Sequence, residues 1–98
     1  MQKSSTMRRA SSKIFKGHQL TIGVDLGDRW SFYCVLDESG KVILEDKLAT
    51  TAEDMKQIFA KIPRSRMAME TGTHSPWVSG LLTQLRHEVI VAHAQKWT

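Results

Sequence analysis

Two carboxylates close two short runs of similar design. In Leu20-Thr-Ile-Gly-Val-Asp-Leu-Gly27 the apolar Leu20, Ile22 and Val24 alternate with Thr21, Gly23 and Asp25. That period of two predicts a strand with Asp25 at its end. Met67-Ala-Met-Glu70 repeats the plan: an apolar run, an acid at its end, and Thr71-Gly72 close behind. An acid on a buried strand is costly to desolvate without a partner. A metal ion, a cation or a phosphate-bound metal would serve. A turn cap before Gly27 is the plainer role for Asp25, and an ion pair with Arg66 the plainer role for Glu70. Two acids sharing one site raise each other's cost of ionisation unless a cation bridges them. Oxygen ligands of this kind suit Mg²⁺ or Mn²⁺, which can polarise a phosphodiester and orient a nucleophile.

The elements that must position these acids follow from the pattern around them. Residues 29–36 carry Trp30, Phe32, Tyr33, Val35 and Leu36 and suit a second strand. Asp37-Glu-Ser-Gly40 reads as a turn, and residues 41–48 resume a strand, making a hairpin. The period then changes. Thr51 with Glu53 and Asp54 forms a helix start, and Met55, Ile58, Phe59 and Ile62 share one helix face up to the stop at Pro63. Ser75 as cap and Pro76 as first helical residue open a second helix with the stripe Val78, Leu81, Leu82 and Leu85. Gly80 in that helix suggests close packing on a strand, Trp77 suggests core packing, and His87 suits the helix dipole in the last turn. Residues 88–93 make the final strand. Asp28 fits an exposed turn better than a third acid near a metal, and His74 fits either a phosphate contact or a hydrogen bond within its loop.

The fold class is therefore α/β, with element order β-β-β-α-β-α-β. A meander followed by two crossovers predicts a mixed five-stranded sheet, in the order 3-2-1-4-5 if the meander lies to one side and the crossovers go to the other. Strands one and four are then parallel neighbours, with Asp25 and Glu70 side by side at their carboxyl ends, where open α/β sheets place ligands. Two right-handed crossovers in the same direction put both helices on one face and leave the other bare.

Composition limits the alternatives. A chain of 98 residues has room for one core. No apolar run is long enough to span a membrane, and no secretory leader pattern follows the basic start. The single cysteine, Cys34, cannot form an internal disulfide and reads as a small core residue, so the expected location is cytoplasmic. Charge divides the chain into residues 1–19, a basic and weakly structured arm, and residues 20–98, the folded domain. The arm holds Lys3, Arg8, Arg9, Lys13 and Lys16 without an acid, leaving nine Lys and Arg against ten Asp and Glu in the domain. A phosphate-contacting role for Arg8, Arg9, Lys13 and Lys16 would release counterions from nucleic acid. A solvated leader explains them equally well.

Several strings resemble the N-terminal part of the DEDD transposases of insertion sequences, the Piv/MooV pilin-invertase-like group. They are Ile22-Gly-Val-Asp-Leu-Gly27, Val35-Leu-Asp-Glu-Ser-Gly-Lys-Val42, Met69-Glu-Thr-Gly-Thr-His-Ser-Pro-Trp77 and His87-Glu-Val-Ile-Val-Ala92. The resemblance implies an RNase H-like (RuvC-like) fold, incomplete at the C-terminus, with Asp25 and Glu70 as the first two acids of a four-acid metal site. It further implies DNA transposition by Mg²⁺-dependent strand cleavage and joining, with DNA and an element-encoded structured RNA as partners. The family's last two aspartates are absent, so weak Mg²⁺ binding and no independent activity are expected. Thr73 and His74, beside Glu70, would then join the nucleic-acid contacts. Two other readings compete. One is a non-catalytic remnant that binds nucleic acid, a full-length transposase or another copy of itself. The other is an actin-like ATPase or sugar-kinase fragment, which shares Gly23-Val-Asp-Leu-Gly27 but usually continues with small hydroxyl residues where this chain has Asp28-Arg-Trp30.

Overall fold

The computed structural model describes Phe15 and residues 17–92. β1 (Thr21–Asp25), β2 (Trp30–Leu36) and β3 (Val42–Ala49) form the meander. α1 (Ala52–Phe59), β4 (Arg66–Glu70), α2 (Ser75–Gln84) and β5 (Glu88–Ala92) complete the chain path. The five strands form one sheet in the order β3-β2-β1-β4-β5, with β1 parallel to β4 and β4 parallel to β5. The mixed α/β sheet expected from the sequence is the one observed. No described helix is long and apolar enough to cross a membrane.

Strand alternation sorts the sheet into two faces. Ile22, Val24, Tyr33, Val35, Met67 and Met69 are buried beneath Met55 and Phe59 of α1 and Val78 and Leu82 of α2. Phe15, ahead of the boundary expected at residue 20, packs into the same core. The opposite face carries Gly23, Asp25, Phe32, Cys34, Ala68 and Glu70, and no described element covers it. Cys34 is half-buried there rather than in the core. Phe32 is 53% exposed, which a covered sheet face would not allow.

The hairpin is fixed by one carboxylate. Asp37 Oδ1 accepts from the Ser39 hydroxyl (2.7 Å), the Ser39 amide (2.9 Å) and the Lys41 amide (3.0 Å), which holds its pKa below the usual carboxylate range. Gly40 takes φ +86° at the end of the turn, a conformation favouring glycine. The β2–β3 register shifts between Val35 and Leu36, leaving a bulge at the start of β3.

The helix ends follow the sequence pattern only in part. Thr51 caps α1 as expected, accepting from the Asp54 amide at 3.2 Å. The helix closes at Phe59, and i→i+3 bonds from Lys61 and Ile62 tighten the chain before Pro63. In α2 the expected Ser75 cap is already helical, and its Oγ instead bonds both the amide and the carbonyl of Gly72. His74 precedes the helix without capping it through its side chain. The other end is a Schellman motif: His87 N–H donates to Leu82 O, and Arg86 N–H to Thr83 O, with Arg86 at φ +77°.

Gly80 does not serve close packing. It is exposed, and a Cβ built there meets nothing within 4 Å. Gly80→Ala should therefore stabilise the protein by about 0.5–1 kcal/mol, chiefly by restricting the unfolded chain. Urea denaturation checks this, and a destabilised variant would contradict the open environment.

His87 is likewise not an exposed cation at a helix end. It is 4% exposed, its Nδ1 accepts the Ser65 amide at 3.1 Å, and its Nε2–H donates to the Phe59 carbonyl at 2.9 Å. An acceptor Nδ1 requires the neutral ring. The imidazole ties the end of α1 to the approach to β4.

Tyr33 packs edge-to-face on Phe59 with centroids 5.2 Å apart. Burial, and then the Asp46 carboxylate, push its phenol pKa well above the ordinary value. The unfolded chain therefore loses this proton at lower pH than the folded one. Tyr33 contributes stability that is intact below about pH 10 and is lost as pH rises further. Alkaline denaturation should shift to higher pH in Tyr33→Phe, provided the variant retains its fold by circular dichroism.

Candidate functional site

The β1–β4 register carries the site. Val24 stands opposite Met69, so the next residues, Asp25 and Glu70, leave adjacent parallel strands together. The strands lie about 4.8 Å apart. Asp25 also faces Phe32 on β2, Phe32 faces Lys47 on β3, and Glu70 faces Ala92 on β5. One row across the bare face thus reads Lys47, Phe32, Asp25, Glu70, Ala92. Beneath it lies a row of smaller groups at Cys34, Gly23 and Ala68. Together they line an open groove of about 820 Å³.

Both acids are exposed, so the desolvation cost that first singled out Asp25 does not apply. Glu70 does not pair with Arg66. That guanidinium lies at the other end of β4 and meets Glu88 on β5, with Nε to Oε1 at 3.7 Å. Neither acid's side chain bonds another described residue. Lys47, in the same row, places its ammonium 4.8 Å from the Trp30 ring centroid.

Two loops frame the acids, and the turn after β1 is tight. A Cβ on Gly27 would lie 2.4 Å from the Trp30 carbonyl oxygen, so this position demands glycine through close backbone approach. The loop after β4 is clipped to that turn. His74 Nε2–H donates to Asp28 Oδ1 at 3.2 Å, and Trp77 Nε1–H donates to His74 Nδ1 at 3.1 Å. His74 is therefore a loop-bonding residue in this structure. Trp77, 37% exposed, stands off the buried stripe of α2 rather than packing in the core, because its ring N–H reaches His74. A Trp three residues after a His at a helix start was the available signal for this clip, but its Asp28 partner depends on the fold. Thr73 is exposed in the same loop. Arg8, Arg9, Lys13 and Lys16 lie outside the described residues.

No group of three or more His, Cys, Asp or Glu positioned to hold a metal occurs among the described residues. Two exposed carboxylates nonetheless fit Mg²⁺, which commonly takes one or two carboxylates and completes its shell with water and substrate phosphate.

No family model and no curated protein matches the chain. Among solved structures it is similar to the Aquifex aeolicus member of the Ppx/GppA protein family, at 13% identity and TM-score 0.48, over 80% of this chain. A second Aquifex aeolicus structure, of the PPX-GPPA enzyme, is similar at 15% identity and TM-score 0.41, over 74% of this chain. The chain spans 36% of the length of each.

The expected transposase domain is not found. The two similar solved structures named above are of Ppx/GppA proteins rather than transposases, and no transposase family model matches. The assignment to DNA transposition falls with it, and of the expected fold the mixed five-stranded α/β sheet in the order β3-β2-β1-β4-β5 is what stands. The string from Glu70 to Trp77 has a structural explanation of its own. Ser75 staples Gly72, Trp77 holds His74, and His74 holds Asp28. An eight-residue string of this kind describes a loop entering a helix.

Proposed function

We propose that the carboxyl ends of β1 and β4 form a phosphate-handling site of the actin-like ATPase or sugar-kinase type. The observation that carries this reading is the emergence of Asp25 and Glu70 from adjacent parallel strands, established by the Val24–Met69 pairing. Two acids there repel a phosphate unless a cation lies between them. Mg²⁺, when bound, would neutralise and orient that phosphate. Asp25 and Glu70 would hold it through their oxygens. The tight turn at Gly27 and the loop at Thr71-Gly72-Thr73 would flank the phosphate, kept in register by the His74–Asp28 contact. Asp28-Arg-Trp30 replaces the small hydroxyl residues usual after such a turn, so backbone amides and the cation must supply most of the recognition.

Calorimetric titration of the full chain with Mg·ATP, and with Mg²⁺ and inorganic polyphosphate, tests the reading. Wild-type protein should bind one of these phosphates only when Mg²⁺ is present. Asp25→Asn and Glu70→Gln should each weaken binding about tenfold, equivalent to about 1.4 kcal/mol. Equal affinity in wild type and both variants, or no Mg²⁺-dependent binding at all, would overturn it.

A further inference from the structure

The two edges of the sheet are not equivalent. The β3 edge carries Glu45, Asp46 and Lys47 in succession and a bulge near its start, devices that discourage pairing with another strand. The β5 edge has neither. After Glu88 it reads Val89-Ile-Val-Ala92, with Ile90 44% and Val91 37% exposed, and no described strand lies beyond it.

Hydrogen-bond parity shows which groups that edge offers. Glu88 N–H donates to Ser65 O, and Ala92 O accepts from Thr71 N–H, so alternate residues of β5 address the β4 side. Val89 and Val91 therefore turn their amides and carbonyls outward. Unpaired backbone groups on an apolar strand are a template for another strand.

We propose that the protein forms a two-fold dimer by antiparallel pairing of β5 with β5 of a second copy, centred on Ile90. This register matches outward residues to outward residues: Val89 opposite Val91 of the second copy, and the reverse. Ile90 then faces Ile90 of the second copy in a close, non-hydrogen-bonded pair. Glu88 falls opposite Ala92, so no like charges meet. The same operation on β3 would bring its charged central run against itself. Both helix layers lie on the same side of the joined sheet, and the two bare faces become continuous on the other. β-Branched side chains opposite one another on both faces add cross-strand packing.

Sedimentation equilibrium of the full chain across the micromolar range, combined with amide hydrogen exchange, tests this arrangement. A dimer is expected, with the Val89 and Val91 amides gaining protection as concentration rises. Ile90→Lys places like charges directly opposite one another at an exposed position. Val91→Pro removes an outward N–H without removing a bond to β4. Each should weaken dimerisation at least tenfold while leaving the circular dichroism spectrum unchanged. If Val91→Pro fails to fold, Ile90→Lys decides alone. A monomer throughout, or a dimer that Ile90→Lys does not weaken, would overturn the proposal.

Discussion

Replacing His87 by alanine is expected to cost about 2–4 kcal/mol of stability. The ring is buried and uses both nitrogens, accepting from Ser65 N–H and donating to Phe59 O. Its removal leaves the Ser65 amide without that partner in a buried place, a penalty of about 1–3 kcal/mol. Phe59 O retains a longer contact from Ile62 N–H at 3.4 Å, so its loss is smaller. The cavity left by the ring contributes the remainder. For a small domain whose total stability is about 5–15 kcal/mol, this is a large fraction. Urea denaturation of His87→Ala beside His87→Phe separates the two contributions. Phenylalanine restores volume but no hydrogen bond, so it should recover only part of the loss. An alanine variant within about 0.5 kcal/mol of wild type would show that the bridge is unimportant.

Gly27→Ala is expected to be comparably disruptive, with the damage centred on the site. The added methyl would lie 2.4 Å from Trp30 O, a backbone atom that cannot swing aside. The turn must open, and Trp30, whose position in the ladder faces Ala49, must shift with it. Overpacking against fixed backbone costs about 1–3 kcal/mol, and here the strain falls on the segment joining Asp25 to β2. The expected result is lower stability together with loss of the Mg²⁺-dependent phosphate binding proposed for Asp25 and Glu70. Gly23→Ala is the matched control. Its Cβ would meet Cys34 Sγ at an ordinary 3.6 Å, so stability should hold. Equal denaturation midpoints for the two variants would refute the close-approach argument.

Strand alternation made most of the sheet legible in the sequence. Leu20, Ile22 and Val24 against Thr21, Gly23 and Asp25 specify a face and an end. The change to helical spacing after Thr51 forces crossovers, and crossovers force parallel neighbours. Hence the strand order and the adjacency of Asp25 and Glu70 followed from periodicity once the crossovers were placed on the side of β1 away from the meander, as they are. What escaped were interactions between distant segments. His87 carries no local mark that distinguishes a terminal cation from a buried bridge, because Ser65 and Phe59 meet it only in the fold. Gly80 resembled a packing glycine because sequence shows the helix face but not whether a neighbour occupies it. The family reading failed for a related reason. A short polar string around a helix start satisfies local bonding needs in any protein, so it identifies a loop more securely than a lineage.

The clip of Asp28, His74 and Trp77 also divides the molecule by timescale. The core beneath the helices is apolar, so disturbing it requires concerted unfolding. The clip consists of exposed hydrogen bonds, each contributing about 0.5–1.5 kcal/mol. Such contacts break and re-form while the sheet stays intact, as the low-stability parts of a folded protein do. The acids are therefore carried on strand ends held by the sheet, while the lip beside them is held by bonds that cost less to open. A ligand entering between the loops need not wait for the fold to open.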